Sequence, residues 1–283
     1  MTKISLVDSH VHFWNDHLSY FWLKDCPKIN KNFAVKELKE AVGSVDLKGA
    51  IFVQAECDHS QGLMEVDWVS KLAENENAIK GIVAFAAIEK GLGVQDDLEK
   101  LQSNPLVKGV RRLIQWEADS NFCLQPDFIK GIQLLAKFNF SFDICIKAHQ
   151  LPQTIELVKK CPNVAFVLDH LGKPDIVGKE FVIWVECIKN IAKLPNVFCK
   201  ISGLINEADH LNWQADDLKP YIYHCINEFG FDRVMFGSDW PVLNLVSDYG
   251  KWVEVIGDIM QQYTIAERQK FFVSNSLRFY KVK

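Results

Sequence analysis

Ile4-Ser5-Leu6-Val7-Asp8-Ser9-His10-Val11-His12-Phe13-Trp14-Asn15 decides between two folds. The apolar run Ile4 to Val7 reads as a buried strand, and His10 and His12 stand at its C-terminal end, where α/β folds place their sites. Strand side chains alternate between faces, so the two imidazoles leave the same face, about 7 Å apart at ~3.3 Å per residue. That is chelating geometry, although the same pair also reads as two rim histidines bonded to backbone carbonyls. An open, doubly wound sheet that binds a dinucleotide would carry a glycine-rich turn here. His10 to Asn15 contains no glycine, and Gly91-Leu92-Gly93 lacks the third glycine and the right context.

Outward from this stretch the chain alternates apolar strands with amphipathic helices. Strands are expected at Gly49 to Gln54, Gly81 to Ala87, Val107 to Ile114, Phe140 to Lys147, Val164 to Asp169, Val197 to Ser202 and Val234 to Gly237. Helices are expected at Ala34 to Val45, Leu63 to Leu72, Asp96 to Leu101, Phe128 to Phe138, Leu151 to Lys160, Phe181 to Lys193, Leu218 to Phe229, Tyr249 to Gln262 and Ile265 to Val273. Eight strands, each followed by a helix, predict a parallel, eight-stranded (β/α)8 TIM barrel, a single domain spanning 1–283. The aromatic excursion at 13–32 holds Phe13, Trp14, Tyr20, Phe21 and Trp22 and leaves from the His10/His12 end. So long a loop is expected either to act as a lid or to pack its rings on the barrel rim.

Composition sets outer bounds. With 48% hydrophobic and 24% charged residues and a net charge of -4, the chain has the make-up of a globular protein and no basic excess to recruit nucleic acid or an anionic membrane. A small-molecule partner is expected. Met1-Thr2-Lys3 and the short run after it, which already carries Asp8, are too brief for a signal peptide, so a cytoplasmic location is expected. The eight cysteines form no C-x-x-C pair, which argues against a zinc ribbon or a thioredoxin-type motif, and no disulfide framework is expected in so long a chain without a secretion signal. Oligomeric state is left open.

In a barrel, inward polar residues near the C-terminal ends of strands are the site candidates. The fifth strand puts Phe142, Ile144 and Ile146 outside and Asp143, Cys145, Lys147 and then His149 inside. The sixth ends in Asp169-His170. The eighth sets Met235, Gly237 and Asp239 on one face, with Gly237 leaving room for a close approach. His170 and Asp239 also read as simple helix caps, but independent caps would have no reason to gather at the ends of the first, sixth and eighth strands.

Asp8-Ser9-His10-Val11-His12, Val107-Lys108-Gly109-Val110-Arg111, Asp169-His170-Leu171-Gly172-Lys173-Pro174, Phe236-Gly237-Ser238-Asp239-Trp240-Pro241 and Asn275-Ser276-Leu277-Arg278-Phe279-Tyr280 together carry a resemblance. Over nearly its whole length the chain resembles the amidohydrolase superfamily. More narrowly, it is similar to the amidohydrolase-related branch with sugar lactonases of the L-fuconolactonase and L-rhamnonolactonase types and pyrone-dicarboxylate lactonase. The resemblance implies an active site of His10, His12, His170 and Asp239, with Glu56 and His149 as further candidate metal ligands. Trp14, Glu56, Arg111 and Lys173 are the expected substrate contacts, and Trp22, Asp58, Glu207 and His210 are loop candidates for specificity. Members with two metals bridge them through a modified lysine on strand four, where this chain offers Arg111 and Arg112. A guanidinium stays protonated and cannot ligate a cation. At most one divalent ion is therefore expected, with zinc the best match to imidazole and carboxylate ligands.

The implied activity is hydrolysis of a lactone, a sugar lactone first, which belongs to carbohydrate metabolism. Asp239 would take a proton from the attacking water, and His170 would help to return it to the departing alkoxide. On an ester as reactive as a lactone the metal is dispensable in principle, if His170 and Arg111 stabilise the oxyanion. Two alternatives stand beside this reading: a metal-dependent decarboxylase of the same superfamily, and a non-catalytic barrel that binds a sugar or a metal.

Overall fold

In the computed structural model, which describes residues 4–178 and 181–282, the polar end of a barrel is built on eight parallel strands. They are β1 (Ser5–Val11), β2 (Asp46–Val53), β3 (Ile79–Phe85), β4 (Val107–Arg111), β5 (Ser141–Ile144), β6 (Phe166–Leu168), β7 (Val197–Ile201) and β8 (Val234–Phe236). Neighbours in sequence pair in space from β1 to β8, all parallel. The ring closes where β1 meets the end of β8, through a parallel bridge of Val11 with Trp240 and the bonds His12 N to Trp240 O (2.7 Å) and Asp239 N to His10 O (2.9 Å). Met1 to Lys3, on which the leader argument rests, lie outside the described residues.

Helices α1 (Val35–Val42), α2 (Gly62–Asn75), α3 (Gln95–Gln102), α4 (Pro126–Phe138), α5 (Leu151–Lys160), α6 (Phe181–Ala192) and α7 (Ala215–Phe229) alternate with the strands. After β8 come α8 (Tyr249–Met260), α9 (Ile265–Gln269) and α10 (Asn275–Phe279). Local chemistry sets several ends. Pro126 opens α4 with a fixed φ and no N–H to waste, and Asn139 closes it in the left-handed conformation. Thr264 and Glu267 form a reciprocal capping box at the start of α9.

The core has two parts. The larger lies between strands and helices. The smaller fills the barrel axis with Ile51, Val53, Val83, Val167 and Met235, and Phe279 and Tyr280 at the end of α10 pack into it. The sequence pattern runs one helix from Ile265 to Val273, whereas the structure interposes a π turn, Lys270–Ser274, between α9 and α10. The chain thereby turns its final helix into the barrel.

A bulge in β1 sets the site's first element. Asp8 pairs with Ala50 but Val11 with Phe52, so three steps of β1 oppose two of β2. A regular strand would point Asp8 and His10 the same way. The bulge instead lets Asp8 reach the Tyr249 hydroxyl on α8 (3.0 Å) while His10 and His12 face the axis.

The excursion at 13–32 carries a small apolar cluster of its own. Trp14 pairs antiparallel with Phe33, its ring lies 5.3 Å from Trp22 and 6.4 Å from Tyr20, and Leu18, Leu23 and Ile29 are buried. The short turn Phe21–Asp25 stands at the barrel mouth.

Candidate active site

Three imidazoles and one carboxylate meet at the C-terminal end of the barrel. His12 Nδ1 lies 2.7 Å from the Val53 carbonyl, which can only accept, so Nδ1 carries the hydrogen and the neutral ring presents a bare Nε2. That Nε2 lies 3.3 Å from Asp239 Oδ1 and 3.1 Å from His10 Nε2. His10 Nε2 and His170 Nε2 approach the same Asp239 oxygen at 3.7 and 3.8 Å, and His170 Nδ1 rests 2.9 Å from Ser202 Oγ. All four side chains are buried.

Two of these residues arrive by an unexpected route. β6 and β8 end at Leu168 and Phe236, before His170 and Asp239, and both residues take left-handed backbone, φ 52° and 64°. Such a conformation costs roughly 1–3 kcal/mol for a non-glycine residue and persists only where the surroundings enforce it. Gly203 makes the enforcement possible. A Cβ there would stand 2.5 Å from His170 Nδ1 and 3.0 Å from Asp239 Oδ2. Gly237 is also tight, but against Cβ of His10 and of Ser202, both 3.0 Å from the added carbon. The close approach expected there is the packing of β1 and β7.

Electrostatics keep the imidazoles neutral and the carboxylate charged. Burial pulls the His170 pKa down to about 4 against the attraction of Asp239. Burial likewise lowers His12, and burial with the Lys200 ammonium holds His10 well below its usual range. Burial alone would raise Asp239, yet His170, His12 and His10 hold it well below the ordinary carboxylate range. Three neutral imidazoles and one ionised carboxylate drawn together in this way suit a divalent ion such as zinc. His10 Nε2 and His12 Nε2, 3.1 Å apart, repel when both are bare unless a cation lies between them. The donor set therefore fits a single metal.

Beneath this layer lies a second, built around a residue that sequence reasoning missed. Lys200 on β7 is wholly buried, with Nζ 2.5 Å from Asp143 Oδ2, 3.0 Å from Asp169 Oδ1 and 3.1 Å from His10 Nδ1. Tyr280 adds a 2.6 Å hydrogen bond to Asp143. Arg111 contributes a second cation, with Nη1 3.4 Å from Asp169 and 3.3 Å from His10 Nε2, while Nη2 donates to the Gln54 carbonyl. Burial would push Asp169 up, but Lys200 and His10 overcome it and hold the carboxyl well below its usual range. The visible signal was parity: Lys200 and Ser202 share the inward face of an otherwise apolar strand.

Above the histidines opens a cavity of about 120 Å³ whose wall includes Trp22, Glu56, Arg111, Trp116, Cys145 and Lys173. Three expected substrate contacts, Arg111, Lys173 and Glu56, thus stand on the wall. Lys173 faces Glu207 at 3.7 Å, and Glu56 is held by Gln54 and His59. Trp14 is placed elsewhere: it is buried inside the excursion with its indole N–H on the Ile29 and Lys31 carbonyls, and the ring on the cavity is that of Trp22. His149 is also apart, exposed on the turn Ala148–Gln150. β5 stops at Ile144, so the alternation that pointed His149 inward no longer operates there. His210 is exposed, its Nε2 3.0 Å from the Asn206 carbonyl.

A family model described as "Amidohydrolase" matches residues 7–282. An L-fucono-1,5-lactonase of Burkholderia multivorans is 28% identical, with 97% of this chain and 95% of that protein aligned. An L-rhamnono-gamma-lactonase of Scheffersomyces stipitis is 23% identical over the full length of both chains. Among solved structures, an amidohydrolase from Burkholderia multivorans with bound zinc superposes with a TM-score of 0.89 at 27% identity, covering 99% of this chain and all of that one.

Proposed function

Since the chain belongs to the amidohydrolase family, we propose that it is a hydrolase that opens a lactone, and that the lactone is a neutral sugar derivative. The observation that carries the reading is the convergence of three neutral imidazoles on the ionised Asp239 at the floor of a ring-sized cavity. Asp239 orients a water and takes its proton as the oxygen attacks the ring carbonyl, then returns that proton to the departing alkoxide. His170, neutral at working pH, accepts rather than supplies hydrogen bonds at Nε2 when its Nδ1 hydrogen is on Ser202. Arg111, its charge fixed and its Nε without a partner, is the cation nearest to a developing oxyanion. His10, His12, His170 and Asp239 are the residues that would hold a divalent ion, which when bound supplies Lewis acidity toward water and carbonyl oxygen. A carboxylate held so far down is a feeble base toward plain water. That weakness favours a reactive ester over an unactivated amide.

Charge on the wall supports a neutral substrate. Its cations are Arg111 and Lys173, facing Asp169 and Glu207, and its anions are Asp239 and Glu56, facing His12 and His59. A dicarboxylate would need guanidinium or ammonium groups free to receive it. The decarboxylase alternative has the same need for its carboxylic acid. A panel of sugar lactones and dicarboxylate lactones read with a pH indicator, with carbon dioxide monitored in parallel on unsaturated acids, tests the reading. Acid release from neutral sugar lactones is expected; carbon dioxide release, or binding without turnover throughout the panel, would overturn it.

A further inference from the structure

Of the aromatic residues gathered at 13–32 and after β4, two remain uncovered. Phe21 is 59% exposed and Trp116 56% exposed, whereas Trp14, Trp184, Trp240 and Trp252 are almost fully buried. Single exposed apolar side chains need no explanation, whereas apolar surface gathered along a groove marks a ligand site. Both rings border a groove of about 470 Å³ that runs on from the cavity, the two sharing Trp22, Glu56 and Trp116. The groove's polar edge is fixed. His59 stacks on Phe85 at 4.1 Å and pairs with Glu56 at 2.9 Å, and Glu56 is tied at both backbone and side chain to Gln54. Asp58, beside them, also lines the groove.

We propose that this groove is a second subsite, which receives a glycosyl substituent on the lactone, so that the substrate class is a lactone carrying a second sugar ring. The proposal rests on the lactonase reading and extends it. The cavity over the histidines, about 120 Å³, is the smaller of the two spaces, and the adjoining groove is about 470 Å³. With the lactone ring seated over Asp239, a second ring attached to it lies in the groove. A neutral sugar presents a C–H face to an aromatic ring and a rim of hydroxyls to carboxylates and imidazole, and the groove offers both surfaces together. A wholly apolar substituent would strip water from Glu56, Asp58 and His59 without replacing its hydrogen bonds. An anionic substituent would meet two carboxylates.

The test compares D-glucono-1,5-lactone with cellobiono-1,5-lactone on the intact protein and on Phe21→Ala, a residue that borders the groove and not the reaction cavity. The two-ring lactone is expected to show at least tenfold higher kcat/KM. Phe21→Ala should raise its KM roughly three- to tenfold, the range of one aromatic contact, while leaving the one-ring lactone unchanged. Equal kcat/KM for the two lactones, an equal effect of Phe21→Ala on both, or preference for an aryl lactone such as dihydrocoumarin would overturn the subsite while leaving lactonase activity standing. If neither of these two lactones is turned over, the wider lactone panel decides the lactonase reading. The subsite is then decided by tryptophan fluorescence titration with cellobionate and gluconate: tighter cellobionate binding, lost in Phe21→Ala, upholds it, and equal binding overturns it.

Discussion

Lys200 holds two carboxylates, Asp143 and Asp169, and all three side chains are fully buried. Lys200→Met keeps the length of the side chain and removes the charge. Breaking a buried ionic set by deleting one partner costs about 3–5 kcal/mol, so urea unfolding should show a loss of that size; wild-type stability would mean that the carboxylates had found another cation. Asp239→Asn should leave the circular dichroism unchanged and lower kcat about 10²- to 10⁴-fold, the usual contribution of a general base. Near-normal turnover would return Asp239 to a capping role. The acid side of the pH profile is a third expectation at this scale. His170 takes a proton near pH 4, while Asp239 stays ionised below that, so turnover should hold from neutrality down to about pH 5 and then fall. A limb already halfway down at pH 6 would contradict the neutral-imidazole site. The four converging residues were legible because short motifs mark them. Lys200 was not, since one lysine in Val197 to Ser202 looks like a surface residue until its parity is counted, and His149 misled because alternation was extended past the end of β5.

Secondary structure was legible to the extent that it obeys a period. The amphipathic helices and the apolar centres of the strands fell where expected, but the strands stop short. The chain leaves them through left-handed residues, Glu56, His170 and Asp239 among them, and hydrophobic period does not foretell a positive φ. The bulge in β1 escaped for the same reason, because it interrupts the period of two that reveals a strand. On α2, Glu65 is wholly buried, accepting from Ala55 N and the Tyr20 hydroxyl with Oε2 unpartnered. Burial raises its pKa to about 7. The folded state therefore keeps a proton that the unfolded chain gives up near the ordinary glutamate value. The contribution to stability is complete below about pH 4.5 and fades as pH rises to about 7. Glu65→Gln, neutral at every pH, should match wild type near pH 4 and exceed its melting temperature increasingly up to pH 8, by the equivalent of at most about 3 kcal/mol. A constant offset across that range would show that Glu65 ionises freely.

At the scale of the molecule, the count of strands and helices foretold the barrel, and closure through Val11 and Trp240 completes it. The interior was less legible, because the polar layer depends on which residues meet across the axis. Lys200 and Arg111 already neutralise Asp143 and Asp169; of the two groups of potential ligands among the described residues, the one that includes Asp169 is therefore engaged by cations, and the layer of His10, His12, His170 and Asp239 is the better place for a metal. Elemental analysis after zinc loading should find no more than one tightly held equivalent per chain; two, both required for turnover, would contradict the assignment of those charges. The same interior has a consequence in time. Asp143 receives its hydrogen bond from Tyr280, and Phe279 and Tyr280 pack into the barrel axis beside Val53 and Met235. A ribosome releases these residues long after His10 and His12 have emerged. The nascent chain can thus pair most of its strands and still present an open axis, and the ionic layer under the site is completed only once residue 280 has cleared the exit tunnel and its helix has docked.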